Sequence, residues 1–393
     1  MSAIVKSNEV FGVPVRHFRF AQAFTFWRSS PAWLAACVIL LASPLWAQTF
    51  EPSFTVGAGI QTSYQHVESD ATPDDQFSLG HARIYLGGDI TKNISAMFNT
   101  DYSTTSNTLE ILDAVAQIHT SSPMFNVWFG RFIPPTDRDN FTGPFYSNEW
   151  GVYDDGIQDG YPSVFQGRDN GIAYWGDFKA DMVKIKASIG AFDGSSLHGG
   201  DSEVLWAGRL QLDFWDPENG YYLNSTYYGD KNLIAIAVAT QVQADKTGTA
   251  KPTATTVDFL LEKKVLNGGA FTVESEFADY NGLGGYYGGY GNDSGTYGLV
   301  SFLEPKVVGI GKFEFLGKYA IAEATHGAFI SDAHGPHLQS FRQDTTEVNV
   351  DYIIKQFDAR LMSFYRNLRF NDVNLDTWEA GIGLQIQISK TIK

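Results

Sequence analysis

The sequence predicts an all-β protein, a transmembrane antiparallel β-barrel of about sixteen strands, on the strength of three observations. Apolar and polar residues alternate with period two in many separate runs, which indicates strands whose two faces meet different surroundings. Many of these runs are about ten residues long, the length at which a tilted strand crosses a bilayer. Short and long connections alternate along the chain, as they do in outer-membrane barrels. About eighteen strands is the alternative.

The alternation begins with the run from Phe54 to Tyr64, in which apolar or aromatic residues and one threonine occupy every second position. Four more runs follow within residues 82–130, and Leu112 is among the positions assigned to their lipid-facing side. Later runs of the same kind lie at Val183–Phe192, Trp206–Phe214, Ile234–Val242, Val257–Leu261, Phe271–Phe277, Val348–Ile354, Ala359–Tyr365 and Trp378–Ile388. Aromatic residues near the ends of the apolar faces favour the membrane–water boundary. The opposite, polar faces are therefore predicted to line a wet lumen.

The connections support a barrel with short turns at one end and long extracellular loops at the other. Short connections are predicted at residues 87–93, 121–123 and 267–269, and long ones at residues 66–76, 134–170, 281–295 and 325–344. Between Tyr221 and Lys264 the connection lengths do not alternate cleanly. We count about seventeen runs, and single-chain bacterial barrels have even strand numbers, so sixteen is predicted. The 37-residue segment from Pro134 to Asn170 is expected to fold into the pore, since such long connections are usually functional.

Residues 1–47 are predicted to be a cleaved signal peptide, which leaves residues 48–393 as the barrel domain. Several basic residues precede a short apolar stretch, which ends at the small residue Ala47. Leu34–Cys37 could instead be a lipoprotein cleavage site, although the apolar stretch continues past the cysteine. Cys37 is the only cysteine, so no disulfide framework within the chain is possible.

The charge of the chain bears on its partners. The formal net charge is −16, and no basic tract interrupts the acidic composition. Nucleic acids are therefore excluded as partners, because their binding depends on neutralising phosphates with lysine and arginine.

Several stretches in different parts of the chain carry a family resemblance. They are Phe129–Pro135 (FGRFIPP), Gly167–Gly176 (GRDNGIAYWG), Ala187–Gly194 (ASIGAFDG), Trp206–Trp215 (WAGRLQLDFW), Val350–Asn367 (VDYIIKQFDARLMSFYRN) and Gly381–Ile388 (GIGLQIQI). Together they resemble the phosphate-selective porin O/P-like family of bacterial outer-membrane porins. The resemblance implies a sixteen-stranded, usually homotrimeric barrel with long loops folded into the pore.

Parity along the strands and the position of the long segment predict which charged residues line the pore. The basic residues are Arg83, Arg138, Arg168, Lys184, Lys186, Arg209, Arg360 and Arg366, and the acidic ones are Asp101, Asp113, Asp137, Glu274, Glu276 and Asp351. A pore selects by its width and by the charges on its lining. A basic stripe opposed by acids would orient polar or anionic solutes. The alternative is a solvated wall with salt bridges that fasten the long segment.

The sequence therefore predicts an outer-membrane porin for passive diffusion of small hydrophilic solutes, with anions such as phosphate as candidates. Outer-membrane lipid and lipopolysaccharide would surround it, and neither a catalytic step nor a cofactor or metal is expected. One alternative is a barrel hydrolase, although no G-x-S-x-G nucleophile motif is present. The other is a structural or adhesion barrel without an open channel.

Overall fold

The computed structural model describes residues 50–68, 74–103, 107–157, 167–194, 203–244, 251–265, 267–283, 292–332, 335–370 and 375–392. The predicted signal peptide lies outside these residues. Among them, no helix combines the length and the apolar character needed to cross a membrane.

Sixteen antiparallel strands form a closed barrel in which each strand pairs with its neighbours in sequence. The strands are β1 (Phe54–Glu68), β2 (Asp74–Thr91), β3 (Ile94–Ser103), β4 (Thr108–His119), β5 (Asn126–Phe132), β6 (Asp169–Ala180), β7 (Val183–Phe192), β8 (Leu205–Trp215), β9 (Leu233–Val242), β10 (Thr253–Val265), β11 (Gly269–Asn281), β12 (Asn292–Leu303), β13 (Lys312–Asp332), β14 (Gly335–Lys355), β15 (Ala359–Phe370) and β16 (Leu375–Ile392). Pairs from Phe54–Ile392 to Glu68–Trp378 join β1 to β16 and close the sheet. The predicted fold class and the count of sixteen strands are confirmed.

The period-two pattern decides which side chains face outward. In β1, Ile60 is 50% exposed, whereas the next residue, Gln61, is 4% exposed. Successive side chains of a strand point to opposite faces, so one face is apolar and exposed and the other faces the barrel interior. An apolar outer face and a polar interior are what a transmembrane barrel requires.

The two ends of the barrel differ in their connections. The connections at residues 92–93, 120–125, 181–182, 304–311 and 356–358 all leave from one end, here called the short-turn end. The connection between β8 and β9, residues 216–232, leaves from that same end but is much longer. The opposite, long-loop end carries the connection between β5 and β6, which includes α1 (Arg138–Tyr146).

Three local predictions are wrong. The connection predicted at residues 66–76 is not long, because β1 extends to Glu68, β2 begins at Asp74, and their ladder continues to the pair Val67–Asp74. Leu112 does not face lipid, because a β-bulge between β3 and β4 turns it inward to 1% exposure and leaves Ile111 in the outer position. The segment from Thr325 to Asp344 is not a long loop either. Most of it belongs to the hairpin of β13 and β14, whose ladder continues to the pair Asp332–Gly335.

Candidate functional site

The segment after β5 enters the barrel interior from the long-loop end. We call residues 133–168 the first insert, of which residues 133–157 and 167–168 are described. Its helix α1 begins where the Asp137 side chain accepts a hydrogen bond from the Asn140 backbone N–H at 2.7 Å, a usual N-cap arrangement. Gly143 has φ 56°, which interrupts the helix and turns the chain. Every residue from Arg138 to Phe145 is buried, so the helix lies within the barrel.

The wall of the barrel holds the carbonyl groups at the end of α1. Gln61 Nε2 donates to the Pro144 carbonyl at 2.8 Å, and Gln385 Nε2 donates to the Phe145 carbonyl at 3.0 Å. Arg360 Nη1 donates to the Ser147 carbonyl at 2.6 Å. The last carbonyls of a helix have no partner within it, so these wall residues supply the missing donors.

A second stretch of the wall, formed by β11, β12 and β13, holds the acidic residues of the first insert. Tyr297 OH lies 2.9 Å from an Asp139 carboxylate oxygen and 3.2 Å from one of Glu274. Lys318 Nζ lies 2.7 Å from Glu149 and 2.6 Å from Asp155. The first insert is therefore fastened to two stretches of the wall, one formed by β15, β16 and β1 and the other by β11, β12 and β13.

A second segment enters from the short-turn end. We call residues 216–232 the second insert. Its two ends are joined by hydrogen bonds from Asp216 N to the Asn232 carbonyl (2.8 Å) and from Asn232 N to the Asp216 carboxylate (2.7 Å). Between these ends, Tyr221 and Leu223 are 4% and 2% exposed. Glu262 of β10 accepts hydrogen bonds from the backbone N–H groups of residues 227 and 229.

The two inserts meet inside the barrel. Arg138 of the first donates from Nη1 and Nη2 to the two carboxylate oxygens of Glu218 in the second, at 2.8 and 2.7 Å. Both side chains are fully buried. A bidentate arginine–carboxylate pair of this kind fixes geometry as well as charge. Asp258 of β10 lies 3.5 Å from the same guanidinium, and it also accepts from Arg209.

Apolar and backbone contacts extend the meeting surface. Tyr221 OH donates to the Ile133 carbonyl at 2.8 Å, and its ring packs edge-on against Phe141 with centroids 5.1 Å apart. Ser225 N donates to the Tyr146 carbonyl at 3.1 Å. The inserts therefore form one packed body that spans the interior from both ends.

A cavity of about 240 Å³ lies between this body and the wall formed by β2, β3 and β4. Arg83, Asp113 and Arg168 are among its lining residues, together with Tyr222 of the second insert. Asp113 Oδ1 accepts from Arg168 Nε at 3.0 Å and from Tyr222 OH at 2.8 Å. The lining thus contains two arginines and one aspartate.

Within the described part of the chain, the basic residues assigned to the lumen contact acids or carbonyls, with the exception of Lys184, which is half-buried near the short-turn end. Arg83 binds Asp101 and lies over the Phe145 ring, Arg168 binds Asp113, Arg209 binds Asp258, and Arg366 binds Glu347 and Asp154. Lys186 Nζ donates to the Gly220 carbonyl of the second insert and lies 3.7 Å from Asp177. Most of the bases are therefore engaged in local ion pairs.

The acidic residues assigned to the lumen also lie in the interior. Asp101, Asp113, Asp137, Glu274, Glu276 and Asp351 are all buried. Among the described residues, seventeen acids and eight bases are buried, so carboxylates outnumber the bases that could pair with them. Several acids instead meet amides and hydroxyls, as Asp351 meets the Ser363 N–H at 3.1 Å.

The surroundings shift the pKa values of carboxyl groups in the two inserts in opposite directions. Burial alone would raise the pKa of Glu218, but its pairing with the Arg138 guanidinium lowers the pKa to about 2. Burial raises the pKa of Asp137 above its usual value, and the Asn140 amide groups only partly oppose this. Burial and the neighbouring Glu274 carboxyl raise the pKa of Asp139 well above its usual value.

Sequence reasoning missed the second insert and with it Glu218 and Tyr222. The irregular connection lengths after Tyr221 were the available signal, together with a cluster of tyrosines next to Pro217 where a short polar turn was expected. Asp159, which the sequence placed in the long segment, lies outside the described residues.

Comparisons with known proteins support the fold. No protein-family model and no curated protein matches the chain. One similar solved structure is the anion-selective porin of Comamonas acidovorans, with 14% sequence identity and a TM-score of 0.54; the match covers 86% of this chain and 100% of that chain. A second is Pseudomonas putida OprB, with 9% identity and a TM-score of 0.56; the match covers 91% of this chain and 97% of that chain. A further one is the trimer form of OmpT, an outer membrane protein of Vibrio cholerae, with 14% identity and a TM-score of 0.50. The match covers 85% of this chain and 99% of that chain. At these identities the likeness shows the fold alone.

Proposed function

We propose that this protein is an outer-membrane porin through which small hydrophilic solutes diffuse passively. The observation that carries the proposal is the closed barrel with an apolar outer face and a charged interior narrowed by the first insert. An exposed apolar belt fits a lipid environment, and a charged interior fits an aqueous passage. The proposed function involves no chemical step and no cofactor.

The cavity beside β2, β3 and β4 is the proposed passage past the inserts. In this cavity, charged residues of the wall border open space together with residues of both inserts. Because two arginines and one aspartate line it, we expect a modest preference for anions, with phosphate as a candidate solute. Lys186 lies outside this cavity and contacts Gly220 and Asp177, so we expect it to contribute little.

The cellular setting belongs to the same proposal. We propose a cleaved leader at residues 1–47, insertion among outer-membrane lipid and lipopolysaccharide, and a homotrimer. Two similarities in fold support this setting. One is to the trimer form of OmpT, an outer membrane protein of Vibrio cholerae, and the other is to the anion-selective porin of Comamonas acidovorans. Membership of the phosphate-selective porin O/P-like family stays a prediction from the stretches that resemble it.

Reconstitution of the purified protein into planar bilayers tests the proposal. We expect discrete conductance steps in potassium chloride, and a protein that is folded but never conducts would sink the idea of an open passage. Hydrolysis of lipid or peptide substrates by that same preparation would favour the barrel enzyme instead.

The zero-current potential in a salt gradient then tests ion preference. Arg168→Gln removes a base from the cavity lining, so we expect it to shift the potential toward cation preference. Lys186→Gln is the matched control, because it removes a buried base outside the cavity, and we expect little change. An equal shift in both variants would show that selectivity arises from overall charge rather than from the cavity.

A further inference from the structure

We propose that the second insert, residues 216–232, limits the size of solutes that pass, acting from the short-turn end of the barrel. The inference rests on the proposed passage function and adds a second selecting element to the first insert. It places part of the size limit in the connection between β8 and β9, which the sequence did not mark as part of the pore.

The second insert is more deeply buried than most other connections at its end, although the one between β14 and β15 also buries Phe357 at 8% exposure. Ile310, in the connection between β12 and β13, is 74% exposed, and Met182, between β6 and β7, is 87% exposed. By contrast, Tyr221 is 4% exposed and Leu223 is 2% exposed. A buried segment of this length reduces the free cross-section of the interior, whereas the exposed turns do not.

The second insert also bounds one of the open spaces of the interior. Tyr222, Leu223 and Asn224 line the cavity beside β2, β3 and β4. That cavity measures about 240 Å³, below the roughly 300–1,000 Å³ of ordinary small-molecule sites. While both inserts stay in place, the space therefore suits only ions and solutes of a few heavy atoms. Without Tyr222 and its neighbours, one side of the cavity would be open to the rest of the interior.

The ends of the second insert show that the barrel wall does not need it. Trp215 pairs with Leu233 at the last position of the β8–β9 ladder. The hydrogen bonds between Asp216 and Asn232 continue that ladder by one more pair. Two residues of type Asn-Gly can close an antiparallel pair at such a point, because their backbone suits a two-residue hairpin turn. Residues 217–231 can therefore be replaced by Asn-Gly without changing the register of the wall.

A matched control exists at the same end of the barrel. The connection between β12 and β13 also closes on a backbone pair, since Glu304 N donates to the Phe313 carbonyl at 2.8 Å. Replacing residues 305–312 by Asn-Gly shortens an exposed connection in the same manner and removes only Lys312, the first residue, from β13. It leaves both inserts untouched.

Single-channel conductance and liposome swelling with sugars of increasing size test the inference. Both excision variants are first checked for a folded barrel by their heat-dependent mobility on gels. We expect severalfold higher conductance and entry of larger sugars after replacement of residues 217–231, and unchanged values in the control. Tyr222→Ala, which keeps the chain length, should raise conductance by a smaller factor.

The outcomes separate this inference from the proposed function. If the unaltered protein conducts and the folded excision variant has the same conductance and sugar cut-off, the second insert does not limit size, and the inference fails alone. If the unaltered protein is closed and the excision variant conducts, the open-passage function fails while the inference stands. If neither the unaltered protein nor the excision variant conducts, the proposed function and the inference are both overturned.

Discussion

The two inserts fill one barrel from opposite ends but are held in different ways. The first insert is fastened by wall residues on several strands, among them Gln61, Lys318 and Arg360. The second is held by its closed ends, by wall residues on fewer of the described strands, among them Glu262, Lys186 and Asp113, and by the first insert through the pair Arg138–Glu218. The difference suggests an order of dependence: the second insert needs the first more than the first needs the second.

Breaking the ion pair between Arg138 and Glu218, which joins the two inserts, should have the largest effect on how firmly the inserts are held. Arg138→Met leaves Glu218 buried without its partner, and such a loss costs about 3–5 kcal/mol. We expect the second insert to loosen more than the first, seen as faster amide hydrogen exchange in residues 217–231 than in residues 138–146. Lys184→Gln, which removes a half-buried base, serves as control. Equal loosening of both inserts would contradict the order of dependence.

Removing a wall anchor should act mainly on the first insert, although Arg360 Nη1 also donates to the Tyr228 hydroxyl of the second insert at 3.1 Å. Arg360→Gln takes away the guanidinium that donates to the Ser147 carbonyl, and we expect the docking of α1 to weaken by about 2 kcal/mol. Faster proteolysis within residues 138–157, with larger fluctuations of the open-channel current, would show it. Arg360→Lys keeps the charge but not the planar fork, so it should restore only part of the effect.

A substitution confined to the second insert should have a smaller effect on stability. Tyr222→Phe removes the hydroxyl that donates to Asp113 at 2.8 Å, a loss of about 1 kcal/mol. The ring stays, so the conductance should stay near that of the unaltered protein, while exchange of the amides of residues 221–224 rises. A conductance as high as in Tyr222→Ala would mean that the hydrogen bond, not the ring, sets the width.

Mild acid should distinguish the inserts without mutation. The pKa of Asp139 is raised in the folded protein, so its protonation favours the docked first insert as the pH falls through that raised pKa. The pKa of Glu218 is lowered to about 2, so its contribution is present above its unfolded value and is lost only as the pH falls toward 2. As the pH falls from 7 toward the range of ordinary carboxyl groups, we expect slower exchange in α1, after correction for intrinsic rates. Over the same range we expect the pair Arg138–Glu218 to stay intact. Faster amide exchange in both inserts would contradict the pKa shifts of Asp139 and Glu218.

Much of the fold follows from the sequence because strand parity is a local property. The alternation of Ile60 with Gln61 predicted correctly which side chain faces outward, and the length of the segment after Pro134 indicated an insertion. Leu112 was misplaced because one bulged residue reverses the parity, and no local composition marks the bulge.

The contacts of the inserts were beyond sequence reasoning for a different reason. Arg138 and Glu218 are 80 positions apart, and Arg360 and Ser147 are 213 apart. Which base meets which acid depends on how both inserts fold inside the closed barrel. Parity could place Lys186 on the inner face, but it could not reveal that the Gly220 carbonyl would receive its ammonium group.

The closed ends of the second insert also bear on the order in which the chain assembles. Asp216 and Asn232 can pair as soon as β8 meets β9, because their contact is part of a local hairpin. The contact between Tyr222 and Asp113 joins residues 109 positions apart and requires β4 to be in place. Loop-closure entropy makes such distant contacts late events. The barrel wall can therefore form around an undocked second insert, whose contact with β4 follows the closure of its own hairpin.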